Sequence, residues 1–285
     1  MSEQEVSEAK PKLIVRNARS EDETAILTLS RKVYVKKELV YTRDQLRGQL
    51  HNFPEGQFVA IFDGNVVGYC CTFRVEEEIA FGPHNWNEIT GGGYASRHDP
   101  EGDWLYGMEV SVDPDYRGLR IGQRLYTARK SLAMGLRLKG IVFGGRIPGL
   151  AKSWKSIGSA AAYVAAVAEK QRRDTVLSFQ LRNGFEVHGV LADYLPDDHQ
   201  SMGYAAHLFW RNPKYQETQS FRERQRGRVP DTVRIGAIQY QQRRVNSFEE
   251  FAHQVEYFVD IVADYKGDFA VFPGVSWTLC IWAGP

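Results

Sequence analysis

The 285-residue sequence predicts an α/β fold. Three observations carry that expectation. Strand-like and helix-like patterns alternate from residue 13 to about residue 210. Two apolar runs flank Asp63–Gly64–Asn65, the chemistry of a β-hairpin turn. A strand at Trp104–Val112 then runs through a polar, glycine-containing turn straight into an amphipathic helix.

Taken in order, residues 1 to 11 read as a disordered lead-in, polar and acidic, without the apolar stretch of a secretion signal. Leu13 to Arg19 reads as the first strand. Ser20 and Asp22 are candidate caps for a helix carrying Ala25, Ile26, Leu29 and Val33 on one face. A short helix is expected from Thr42 to Leu50, and the hairpin follows. The segment Glu76–Asp103 is long and rich in Gly, Pro, His and aromatics, a length that inside a compact domain marks function or disorder. After the strand to Val112, helical spacing resumes at Ile121, Leu125, Ala128, Leu132 and Leu136, with Gly140 as the expected stop. Gly140–Ile147 reads as a strand, Ala151–Arg173 as a helix irregular near Gly158, and Leu177–Arg182 as another helix. The stretches 185–195 and 202–210 are strand-like. From Arg211 the chain turns polar and basic and reads as a linker to residue 232. Residues 233–272 read as a compact strand–helix–strand pattern.

Composition bounds the function. A net charge of +1 gives no electrostatic footprint for nucleic acid or an anionic membrane. Three cysteines, two of them the adjacent Cys70 and Cys71, fit neither a disulfide framework nor a zinc site. No metal is expected. The apolar run Ala160–Ala168 is too short to span a bilayer. A cytoplasmic setting is expected, and nothing in the sequence opposes oligomerisation.

The window from Glu109 to Tyr126, EVSVDPDYRGLRIGQRLY, carries the chemistry. Unpaired backbone N–H groups converge where a helix begins, and the helix dipole favours negative charge there. Gly118 and Gly122 leave the backbone open to approach, and Arg117 and Arg120 add positive charge. A dinucleotide-binding turn is the competing reading. It requires an acidic residue about 20 positions on, where Lys139 and Gly140 stand instead.

With this window in place, residues 12–210 resemble the GCN5-related N-acetyltransferase (GNAT) family. The family pattern is Gln or Arg, two residues, Gly, one residue, then Gly or Ala, after the fourth strand. Here it reads Arg117, Gly118, Leu119, Arg120, Ile121, Gly122, so Arg120 replaces the middle glycine. Asn183–Gly184–Phe185 matches the family's later Gly–Phe. The resemblance implies a mixed, mostly antiparallel central sheet flanked by helices. It implies acetyl-CoA as cofactor, with pantetheine along Val110, Ser111 and Val112 and the diphosphate over Arg117, Gly118, Leu119, Arg120, Ile121, Gly122 and Gln123. A primary amine on a small molecule or protein would attack the thioester directly.

That amine must lose a proton, a lysine ammonium having a pKa of about 10.4. Glu109 is the candidate base; the alternative is a structural carboxylate paired with an arginine. The family's tyrosine acid would stand four residues before the glycine of Gly–Phe, where this chain has Gln180. Tyr194 is the candidate substitute, against a packing role. A thiolate of pKa about 8.5 also leaves unaided. The insertion 76–103, with His84, Trp86, Tyr94, Arg97 and His98, is either a wall of the acceptor pocket or a surface loop. The alternative function is an acyl-CoA sensor without turnover.

Residues 233–273 resemble the start of a carbon–nitrogen hydrolase (nitrilase superfamily) domain. That family's catalytic Glu follows Phe–Pro, where Gly274 stands, and Cys280 is too near to be its nucleophile. Residues 233–285 are therefore expected to be a truncated, inactive nitrilase-like fragment that exposes apolar surface.

Overall fold

The computed structural model describes residues 12–34, 40–215, 234–239, 247–265, 267 and 269–272. The lead-in, most of the linker and the last stretch with Cys280 lie outside the described residues. The chain divides into two compact units, Met1–Gln216 and Glu217–Pro285.

The first unit is built on seven strands: β1 (Leu13–Asn17), β2 (Gln57–Phe62), β3 (Asn65–Val75), β4 (Trp104–Val112), β5 (Gly140–Arg146), β6 (Glu186–Leu191) and β7 (Ala205–Arg211). Their order in the sheet is β1-β2-β3-β4-β5-β7-β6. Every neighbouring pair is antiparallel except β4 with β5. The β2–β3 hairpin closes through Asp63 (φ 49°) and Gly64 (φ 76°), the left-handed pair that suits strand twist. The adjacent Cys70 and Cys71 go to different apolar clusters, Cys70 with Ile121 and Leu125, Cys71 with Tyr69 and Phe73, as strand alternation requires.

The helices are α1 (Glu23–Val33), α2 (Arg43–Asn52), α3 (Glu77–Phe81), α4 (Trp86–Thr90), α5 (Ile121–Gly135), α6 (Leu150–Ile157), α7 (Ala160–Ala168) and α8 (Leu177–Arg182). Thr42 caps α2 by accepting from the Gln45 amide, which returns a side-chain bond to Thr42. Three expectations are corrected. Ser20 is not the helix cap: Ser20–Asp22 forms a short 3₁₀ turn, and Asp22, the other candidate, stands at the N-cap of α1 without a side-chain cap bond, accepting from Arg19 N–H and pairing with Arg16. Gly140 does not stop a helix: α5 ends at Gly135, and Gly140 opens β5, where a side chain would strike the Trp210 carbonyl. The helix expected over 151–173 is two helices, parted at Gly158 (φ 78°), with Ser159 capping the second.

The segment Glu76–Asp103 contains the two short helices α3 and α4. It adds no strand; α2 holds it, with Gln45, Gln49 and Asn52 donating to the carbonyls of Gly92, Gly93 and Tyr94.

In the second unit, β8 (Ile235–Ala237) and β9 (Phe269–Val271) pair in parallel, with α9 (Phe248–Asp264) between them in sequence. Ser247 caps α9. Ile235, Phe248, Tyr257, Tyr265, Phe269 and Val271 are all exposed. No helix among the described residues is long and apolar enough to cross a membrane.

Candidate active site at the split between β4 and β5

The parallel strands β4 and β5 share only the rungs Trp104↔Gly140, Leu105↔Ile141 and Tyr106↔Val142. From Gly107 to Val112, β4 has no strand on its β5 side, and β5 runs on separately from Phe143 to Arg146. A wedge therefore opens in the middle of the sheet, with one backbone edge available on each side. A bulge stands at its start: Cys71 faces Glu109 but Thr72 faces Gly107, leaving Met108 extra. Arg129 on α5, 1% exposed, spans that bulge by donating to the carbonyls of Cys71 (2.8 Å) and Glu109 (2.7 Å). Paired residues share a face, and so do Cys71 and Phe73. The bulge thus puts Glu109 on the same face as Tyr106, the partner of Phe73.

Two side chains close on β5 where it carries Gly144 and Gly145. A Cβ on Gly144 would lie 2.4 Å from the Tyr194 ring, and one on Gly145 would lie 2.5 Å from the Gln180 amide. Gln180 is buried and its Oε1 has no hydrogen-bond partner. Tyr126 packs against Phe143, Phe179 and Phe185.

Beyond the wedge, β4 passes through Asp113–Tyr116 into α5. Asp113 N–H donates to Val67 O, and Lys32 of α1 bridges Asp113 and Asp115, which anchors the turn from both sides. Within the described chain, no hydrogen bond engages the backbone N–H groups from Gly118 to Gln123. Gly118 (φ 93°) has open space where a side chain would begin. Arg120 takes φ 56°, ψ 27°, a left-handed conformation that suits glycine, so the turn keeps a glycine's backbone despite the arginine. Gly122 abuts the Phe179 ring, so packing as well as ligand access excludes a side chain there.

Glu109 is buried, and its Oε1 has no partner. Burial raises its pKa; the hydroxyls of Tyr41, Ser111 and Tyr34 and the charge of Arg129 pull the other way. Trp86, from the insertion, donates to Met108 O (3.4 Å), and its ring lies 6.3 Å from that of Tyr41. His84 meets the Tyr106 hydroxyl at 2.8 Å, and Tyr106 meets Tyr194 at 2.8 Å. The insertion thus brings His84 and Trp86 to the face that carries Glu109. His98 does not join them: it stacks on Phe53 and accepts from Arg74 N–H. Tyr94 and Arg97 are exposed.

Comparison with known proteins decides the family. The acetyltransferase (GNAT) family model matches residues 23–144. YkwB of Bacillus subtilis strain 168, an uncharacterized N-acetyltransferase, is 34% identical over 208 residues, 72% of this chain and 91% of YkwB. The chain belongs to the acetyltransferase (GNAT) family. A second relative in the same organism, the probable hydrolase YhcX, is 42% identical over 279 residues, 98% of this chain. The chain spans about half of YhcX (53%). Two solved structures share the GNAT fold: GphF, a GNAT-like decarboxylase in complex with isobutyryl-CoA (TM-score 0.60, 24% identity, 70% of this chain and 99% of GphF), and the loading GNATL domain of CurA from Lyngbya majuscula (TM-score 0.62, 16% identity, 70% of this chain and 98% of that domain).

The GNAT sheet seen here is mostly antiparallel and flanked by helices, as the sequence implies. Sequence reasoning passed over Tyr34, Tyr41, Tyr106 and Arg129. Only the position of Tyr106 on the same strand as Glu109 offered a signal; the bulge that aligns them leaves none in the sequence.

Proposed function

We propose that the first unit is an N-acyltransferase that moves an acetyl group from acetyl-CoA to a primary amine of a small molecule or protein. The observation that carries this reading is the run of unengaged N–H groups from Gly118 to Gln123 at the start of α5, next to the open edge of β4. These groups, with Arg117 and Arg120, suit a diphosphate, and the backbone of Val110, Ser111 and Val112 suits pantetheine. The relatedness to YkwB and the GNAT family supports the choice of chemistry.

The acyl-CoA supplies an activated carbonyl. Glu109 removes the proton of the acceptor ammonium through a water; its burial and unpartnered Oε1 are what a base facing a substrate pocket requires. Tyr41, Ser111 and Tyr34 orient its carboxylate. Gln180 stands where the family carries a tyrosine and cannot give up a proton; Tyr194, which lies against Gly144 on the other face of β5, takes over as the donor to sulfur. The second unit, with Gly274 at the position of a hydrolase glutamate, does no hydrolysis. The setting is the cytoplasm.

Calorimetry with coenzyme A, followed by thiol release from acetyl-CoA with a panel of amines, tests this. Binding with amine-dependent release upholds it. Binding without release selects the sensor, which Gln180 favours. No binding refutes both.

A further inference from the structure

The hydroxyl pair Tyr106–Tyr194 ends on His84, and the direction of that chain follows from its far end. His84 Nδ1 lies 2.9 Å from Gly82 O. A carbonyl only accepts, so Nδ1 carries a hydrogen in every protonation state. In a neutral imidazole Nε2 is then a bare acceptor. Tyr106 must donate to it, and Tyr194 must donate to Tyr106. In an imidazolium the chain reverses: Nε2–H donates to Tyr106, Tyr106 donates to Tyr194, and the Tyr194 hydrogen is released to point elsewhere.

Both tyrosines are buried, and burial raises their pKa well above the ordinary range, so each stays a neutral hydroxyl that relays protons without ionising. His84 is half-buried, and burial lowers its pKa against the opposing Gly82 bond and Glu88 charge. The groups facing it are Glu88, Tyr106, Tyr194 and His207, whose ring centre is 5.6 Å away. Tyr194 lies against Gly144 at the wedge, on the face that carries Glu109.

We propose that His84, Tyr106 and Tyr194 form a reversible proton shuttle, which holds on His84 the proton shed by the acceptor nitrogen and returns it to the departing sulfur. The proposal rests on the acyltransferase reading above. Glu109 takes the first proton from the ammonium. As the C–N bond forms, the next N–H bond breaks: that proton passes to Tyr194 O, the Tyr194 hydrogen to Tyr106 O, and the Tyr106 hydrogen to His84 Nε2. As the C–S bond breaks, its electron pair stays on sulfur. His84 Nε2–H returns its proton to Tyr106, Tyr106 to Tyr194, and Tyr194 to sulfur. One proton has moved from nitrogen to sulfur, and all three side chains are restored.

The test uses the full chain, its His84→Gln, Tyr106→Phe and Tyr194→Phe variants, and the double variant of His84 and Tyr194. With acetyl-CoA each single variant loses about 100-fold in kcat. The double variant falls no more than ~3-fold further, because the three act as a unit. With an acetyl thioester of an acidic aryl thiol, whose sulfur leaves without a proton, the loss shrinks to about 10-fold. Full activity of Tyr106→Phe, additive losses in the double variant, or equal losses with both donors overturns the shuttle. If the wild-type chain acylates no amine, the acyltransferase reading itself falls. Imidazole NMR then judges the chain: an Nδ1-protonated neutral His84 whose Nε2 resonance moves in Tyr106→Phe upholds its direction, and the Nε2-protonated tautomer overturns it.

Discussion

His207 should make the first unit acid-labile. It lies on β7 opposite Gly144, 3% exposed, and its Nε2 meets Ala80 O at 3.0 Å. Burial, then the neighbouring imidazoles of His84 and His188, lower its pKa from 6.5 to about 4, against the Ala80 bond. The unfolded chain therefore binds a proton near pH 6.5 that the folded chain refuses until about pH 4. Stability from this group is complete above the upper value and falls as the pH drops through the window. At about 1.4 kcal/mol per pH unit, the loss between pH 7 and pH 5 is about 2 kcal/mol. In His207→Gln an amide N–H still reaches toward Ala80 O but cannot ionise. Urea unfolding followed by tryptophan fluorescence at both pH values should show the variant losing about 2 kcal/mol less than the wild type. Equal losses would mean instead that the folded chain protonates His207 as readily as the unfolded one.

Three further outcomes are expected. Arg129→Met leaves the carbonyls of Cys71 and Glu109 without their donor, so chemical denaturation should record a loss of about 3 kcal/mol. Arg120→Gly relieves a left-handed arginine but adds chain entropy, so stability should change by less than about 1 kcal/mol, whereas Arg120→Val should lose about 2 kcal/mol by the same measurement. Glu109→Gln should lower kcat about 100-fold at an unchanged melting temperature; in the wild type, kcat/KM should rise with pH as Glu109 ionises, at a midpoint above the ordinary glutamate value, and steady-state pH profiles would show that limb absent from the variant.

Sequence reading reached furthest where local chemistry decides structure. The Asp63–Gly64 turn needs only its own residues to bend, and the strand Trp104–Val112 has the bounds its apolar pattern implies. It failed at Gly140, where the constraint is the Trp210 carbonyl in a strand 70 residues away, and at Ser20, where Arg16 draws Asp22 into a pair. The same division holds at the site. The Arg117–Gln123 turn is contiguous, so its candidacy can be read from neighbouring residues alone. The face shared by Glu109 and Tyr106 depends on one extra residue, Met108, in a bulge that an arginine from α5 spans through the carbonyls of Cys71 and Glu109. His84 stands out in the sequence as a residue of the insertion, but its partnership with Tyr106 and Tyr194 exists only once three separate elements meet.

The way α2 grips the carbonyls of Gly92, Gly93 and Tyr94 has a practical corollary. Residues 76–103 lend no rung to the sheet, and are held by three amide side chains of α2 on one side and by the bonds of His84, Trp86 and His98 to the sheet strands on the other. Exchanging residues 84 and 86 would therefore alter the face that carries Glu109, while the turn that follows β4, pinned by Lys32 to Asp113 and Asp115, keeps its own anchors.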